Sequence, residues 1–277
     1  MRTLEAVEKN IKDIKVQGAK EIAIYALRFL KDFCKKNGFN LKFEVAAMIL
    51  ERARPTAVVL HNCLEILKKR RKLSTINKLI RKLETFNEKI SVVGQKIIRK
   101  NTKIMTHCHS GEALSVIKKA WKSGNKISVI ATETDPLEQG VKTAKELSGE
   151  GIPVTLITDN AVGYFMKNVD MVIVGADAIR REGVVNKIGT SLLAFAAKTN
   201  KKPFYVVADT LKFDKRKEFR IEERPVKEFY RELLRPGNLK GIKLRNPAFD
   251  ITRWKFIMKV ITEKGIFTPK KVLRMFK

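Results

Sequence analysis

Long apolar runs are missing from these 277 residues: no stretch approaches the ~20 consecutive apolar residues that a membrane-spanning helix needs. The opening MRTLEAVEKN interleaves charge with hydrophobes, which excludes a secretory leader or anchor and points to the cytoplasm. Cysteine is scarce, and Cys34, Cys63 and Cys108 are odd in number and widely spaced, a poor disulfide framework that fits a reducing compartment. Cys-x-x-Cys and His-x-x-x-His spacings are absent. The adjacent His107, Cys108 and His109 alternate in direction along an extended chain, so they do not converge on one ion. Neither a G-x-G-x-x-G nor a Walker-type loop occurs, which argues against nicotinamide and nucleoside triphosphate chemistry. The expectation is a protein with no metal and no organic cofactor.

Acidic residues are also few. Asp and Glu number 29 against 58 Lys and Arg, giving a formal charge of +29 and a pI near 10.1. Such a surface attracts nucleic acid, membrane phosphates and anionic metabolites alike, and a lysine-rich thermophilic lineage produces the same balance. The hydrophobic fraction of 44% excludes wholesale disorder, and the length suggests about two domains.

The pattern divides at about residue 100. Residues 1–100 carry helical periodicity, whose clearest stripe is Ile76, Leu79, Leu83, Phe86, Ile90, Val93 and Ile97, spaced alternately by three and four. That seam suits either core packing in a helical domain or a dimer zipper. Between Ile66 and Lys103, thirteen basic residues face two acidic ones, which reads as a solvated helix face or an RNA-facing surface. Residues 101–277 read as an α/β domain. Uninterrupted β-branched runs at 103–107 (KIMTH), 127–132 (ISVIAT), 153–158 (PVTLIT), 171–175 (MVIVG) and 203–208 (PFYVVA) alternate with amphipathic helices. The fold class is therefore α/β: a helical N-terminal domain followed by a doubly wound, mostly parallel Rossmann-like sheet.

Open parallel sheets bind ligands at the carboxyl ends of their strands. The residues there are reactive types: His107-Cys108-His109-Ser110 after the first run, Glu133-Thr134-Asp135 after the second, Asp159 after the third, Asp177 after the fourth, and Asp209 and Lys212 after the fifth. Ser110 is placed to cap a helix, and its dipole is expected to lower the thiol pKa of Cys108. Asp177 is the best-placed acid/base partner if the first and fourth strands are neighbours. Asn186, Lys187 and Gly189 read as an anion-binding helix start, and with Lys212 they suggest a phosphorylated ligand. Cys34 and Cys63 fall within helical stretches and read as core.

At family level the chain resembles the group that joins methylthioribose-1-phosphate isomerases, archaeal ribose-1,5-bisphosphate isomerases and the alpha, beta and delta subunits of eukaryotic initiation factor 2B. The matching segments run in order after residue 50: ARPTAVVL (53–60), THCHSGEAL (106–114), TETDPLEQG (132–140), GIPVTLITD (151–159), VDMVIVGADAI (169–179), VVNKIGTSLLA (184–194), KPFYVVADTLKFD (202–214) and NPAFDITRWKFIMKVITEKGIFTP (246–269). The resemblance implies catalysis by Cys108 and Asp177, and substrate contacts from Gln17, Gly18, Ala19, Arg54, Ser110, Asn186, Lys187 and Lys212. It also implies a homo-oligomer, a dimer or a hexamer.

Two departures stand out. The isomerases carry Arg-Gly-Ala near the N-terminus where this chain has Gln17-Gly18-Ala19, and Thr-Arg-Pro where it has Thr134-Asp135-Pro136. Each lost guanidinium removes a charge-assisted contact of about 1.5–3 kcal/mol, unless Lys126, Lys142 or another cation replaces it. His109 stands where asparagine is usual, a milder change. The resemblance favours an isomerase of ribose 1,5-bisphosphate acting in nucleotide recycling. A non-catalytic initiation-factor-2B-like regulator that contacts RNA or a translation factor, and an isomerase of a less phosphorylated sugar, remain open from sequence.

Overall fold

Helical periodicity in the first hundred residues becomes five helices in the computed structural model, which describes residues 3–16, 18–228 and 241–276. These are α1 (Leu4–Lys12), α2 (Ala19–Asn37), α3 (Leu41–Ala53), α4 (Val58–Lys69) and α5 (Leu73–Gly94). The seam on α5 is core: Ile76, Leu83 and Ile90 are fully buried, Leu79 and Phe86 nearly so, and the helix packs on α2 and on α6 (Gly111–Lys122). Burying each such side chain contributes about 1.5–3 kcal/mol, which is why the seam turns inward. The helix ends at Gly94, and Ile97 belongs to a following 3-10 turn. Cys34 and Cys63 are buried within α2 and α4.

The five apolar runs form β1 (Lys103–Thr106), β2 (Ser128–Thr132), β3 (Val154–Ile157), β4 (Met171–Val174) and, later in the chain, β7 (Phe204–Val207). They are mutually parallel, with α6, α7 (Gln139–Gly149), α8 (Val162–Phe165) and α9 (Thr190–Thr199) between them. The chain is therefore an α/β protein with a helical N-terminal region and a mostly parallel sheet. One hydrophobic cluster joins the N-terminal helices to Ile104, Ile173, Val207 and Ile261 of the sheet, so the helical layer covers one sheet face. Gly140 is required where α7 crosses β2, because a Cβ there would lie 1.6 Å from the carbonyl oxygen of Thr132.

Several elements lie beyond the sequence expectation. Two further strands, β9 (Lys259–Thr262) and β10 (Gly265–Phe267), extend the sheet to the order β10-β9-β7-β4-β1-β2-β3, with β10 antiparallel. A second, antiparallel sheet contains β5 (Ala178–Ile179), β6 (Gly183–Lys187) and β8 (Phe249–Arg253), and a short helix α10 (Pro269–Arg274) follows β10. Asn186 and Lys187 are therefore the last residues of β6, not the start of a helix. Gly189 turns the chain at φ +99°, and α9 begins at Thr190. The anion at that helix start is the protein's own: the Asp250 carboxylate accepts from the Gly189 N–H at 2.8 Å and from the Ser191 N–H at 3.0 Å and hydroxyl at 2.9 Å.

Candidate active site

Pairing of β1 with both β2 and β4 sets the site. The register Ile104 to Met171 and Met105 to Val172 places the loops after β1 and β4 side by side, so Cys108 and Asp177 line one wall. They share a cavity of about 290 Å³ with Gly18, Ala19, Arg54, Ser110, Asn186, Lys187 and Lys212. Nine of the ten residues singled out from sequence are thus brought together, and Gln17 lies outside the described residues. Lys20, Lys142 and Arg224 also line the cavity, whereas Asp135 does not. Sequence reading passed over Lys20 and Arg224 because lone basic residues carry no signal in so basic a chain.

Cys108 is fixed in an unusual backbone conformation, φ +66°, which costs a non-glycine residue of order 1–3 kcal/mol. Two threonines hold it there. Its N–H donates to Thr134 Oγ1 at 2.8 Å, and its carbonyl accepts from the Thr143 hydroxyl at 2.8 Å. Behind it His107 is buried, with Nδ1 2.6 Å from Thr132 Oγ1 and Nε2 2.8 Å from the Ile188 carbonyl, so its ring braces β1 against β2 and the β6–α9 turn. Burial holds the His107 pKa below its ordinary value. The His109 ring faces Thr143, at 3.0 Å, and Glu146 instead. Among the described residues no three His, Cys, Asp or Glu side chains are arranged to grip a metal.

The thiol itself departs from expectation. Ser110 does cap α6, accepting from the Ala113 N–H at 3.3 Å, yet Cys108 is pushed up to about 11. Burial is the chief cause, and the Asp177 charge adds to it while Lys187 opposes it. Loss of hydration outweighs the helix dipole, so the resting group is a neutral thiol. Asp177 is raised too, again chiefly by burial, with Lys212, Lys187 and Arg54 pulling the other way. A carboxyl group whose proton is held more tightly than usual, beside fixed cations, is suited to proton transfer.

The cations occupy different surroundings. Lys212 is buried after β7 and paired at 2.5 Å with Glu112, a first-turn residue of α6 that sequence reading missed. Lys187 sits 5.9 Å from the centre of the Phe249 ring and has no carboxylate partner among the described residues. Arg54 Nε lies 3.6 Å from Glu222. Lys20 pairs with Glu21 at 3.4 Å beside Gly18 and Ala19 at the N-terminus of α2, and Lys142 is exposed at the cavity edge. The cavity therefore combines a neutral thiol, a carboxyl group of raised pKa and an excess of positive charge.

Comparison with known proteins fits this chemistry. The family model described as "Initiation factor 2 subunit family" matches residues 15–269. A protein of Archaeoglobus fulgidus named ribose 1,5-bisphosphate isomerase is 42% identical over 286 residues, covering 96% of this chain and 90% of that one. Its namesake from Methanocaldococcus jannaschii is 39% identical, covering 98% and 93%. A crystal structure of Pyrococcus horikoshii OT3 described as translation initiation factor eIF-2B superposes with a TM-score of 0.86 at 29% identity, covering 99% and 98%. With so much of its length shared, this chain belongs to the initiation factor 2 subunit family.

Proposed function

We propose that this chain is an aldose–ketose isomerase that converts ribose 1,5-bisphosphate to ribulose 1,5-bisphosphate. The observation that carries the reading is the pairing of Cys108 and Asp177 on adjacent strand ends, inside a cavity rich in cations. The names of the relatives at 42% and 39% identity support the choice of substrate. Lys20, Arg54 and Lys142, with the backbone amides of Gly18 and Ala19 at the start of α2, take over the phosphate contacts that Gln17 and Asp135 do not supply.

In this scheme Asp177 acts as the general acid and donates a proton to the ring oxygen, the bond from that oxygen to C1 breaks, and positive charge develops at C1. Hydrogen then moves from C2 to C1 with its electron pair, and the C2 hydroxyl returns its proton to Asp177, which restores the acid. Cys108, neutral at rest, supports the cation with a polarisable sulfur that does not attack it. Asn186 and Lys187 order the sugar hydroxyls, and Ser110 lies beside them on the cavity wall. No cofactor enters the scheme. By the same reading the chain works as a homo-oligomer, which sedimentation tests.

Turnover in deuterated water tests both reaction and route. The account expects ribulose 1,5-bisphosphate with no deuterium at C1, and absence of product overturns the function. Product labelled at C1 would make Cys108 a proton carrier and overturn the hydride route. The charge of +29 favours a second reading, a regulator in translation that contacts RNA. It requires salt-sensitive RNA affinity together with no sugar-phosphate turnover.

A further inference from the structure

An acidic side chain in a cavity built for an anionic sugar needs a reason. Glu112 lies on the cavity wall with an exposure of only 5%, and its partner Lys212 is 4% exposed. The carboxylate meets Lys212 Nζ at 2.5 Å, and its other oxygen accepts from the Ser110 hydroxyl at 3.0 Å. Lys212 is thus neutralised before any ligand arrives. Of the other cavity cations only Arg224 is as closely paired among the described residues, with Glu222 at 3.0 Å and with Glu228, whereas Lys20 and Arg54 hold looser pairs at 3.4 and 3.6 Å and Lys187 and Lys142 have none.

We propose that Glu112 is a specificity-determining residue, whose pair with Lys212 clamps a sugar hydroxyl and turns phosphate away from that end of the cavity. This inference rests on the sugar-phosphate reading above. The donor and acceptor count supports it. Lys212 has N–H groups left to donate and Glu112 has lone pairs left to accept, so the pair matches a hydroxyl, which both accepts and donates. A phosphate dianion only accepts, and it would face the carboxylate at close range. The phosphates are accordingly left to Lys20, Arg54, Lys142 and the start of α2, while Lys212 and Glu112 fix the sugar beside Asp177.

Calorimetric titration with inorganic phosphate, read beside turnover of ribose 1,5-bisphosphate, tests the clamp. Glu112→Gln frees the Lys212 charge, so phosphate binds about tenfold more tightly or better, while kcat/KM falls by about tenfold or more. Glu112→Asp keeps the charge and stays near wild-type phosphate affinity. The double variant Glu112→Gln/Lys212→Met reads the same claim from the other side: with both charges removed its phosphate affinity returns to near that of wild type, because the gain in Glu112→Gln comes from the freed Lys212. Equal phosphate affinity in wild type and Glu112→Gln overturns the proposal, as does a gain in the double variant as large as that in Glu112→Gln. A gain in Glu112→Gln alongside a wild type that does not turn over ribose 1,5-bisphosphate supports the clamp and defeats the isomerase reading alone.

Discussion

Replacing Thr134 by valine removes a hydroxyl that never touches the cavity, yet it is expected to cripple the site. The Thr134 side chain is fully buried; its oxygen accepts from the Cys108 N–H at 2.8 Å and its hydroxyl lies 3.3 Å from the Thr132 carbonyl. Valine keeps the shape and strands the Cys108 N–H, a loss of about 1–3 kcal/mol. The strained Cys108 backbone, φ +66°, then has only the Thr143 contact to hold it and relaxes toward a commoner conformation. At about 2–4 °C per kcal/mol for a chain of this size, melting should fall by several degrees. A misplacement of about 1 Å at the reacting centre costs on the order of 10²-fold, so kcat should drop far more than KM rises. Thr134→Ser, which restores the acceptor, should recover most of kcat. Steady-state kinetics with scanning calorimetry on the three proteins decides it, and wild-type kcat in Thr134→Val would refute the idea that this hydrogen bond places the thiol.

Other consequences follow from burial and packing. Asp209 is fully buried and pushed up to about 7 by that burial, so the folded chain holds a proton that the unfolded chain releases near pH 4. Stability on its account falls as pH rises from about 4 to about 7; Asp209→Asn should therefore melt above wild type at about pH 8 and match it at about pH 4. Asp177 is raised in the same direction, so Asp177→Asn should lose turnover while melting no lower than wild type at about pH 8, as circular dichroism would show. Gly140→Ala drives a methyl into the Thr132 carbonyl, 1.6 Å away, and should cost about 1–3 kcal/mol or more in urea unfolding. Asp250→Ala uncaps α9 and should cost about 0.5–2 kcal/mol by the same assay.

Much of this architecture was legible because parallel strands covered on both faces appear as uninterrupted β-branched runs. The runs around Ile104, Ile130, Leu156, Val172 and Val206 each became a strand, and their carboxyl ends hold Cys108, Asp177 and Lys212. The second sheet was not legible. Its β5 is two residues long, and β6 ends in Asn186 and Lys187, polar residues that look like a loop when read without their partner β8. Asp250, far along the sequence, decides what sits at the start of α9, and nothing local announces it. The Cys108 thiol was misjudged for a related reason: a dipole can be read from a neighbouring cap, whereas burial by distant segments cannot. The Glu112–Lys212 pair joins positions a hundred residues apart, and only the fold makes it visible.

Phosphorus NMR of ribose 1,5-bisphosphate incubated with the wild-type chain and, side by side, with Cys108→Ser and Asp177→Asn tests the central claim most directly. The account predicts that wild type replaces the substrate signals with those of ribulose 1,5-bisphosphate and that neither variant does so at a comparable rate. Undiminished conversion by either variant, or none by wild type, would contradict it.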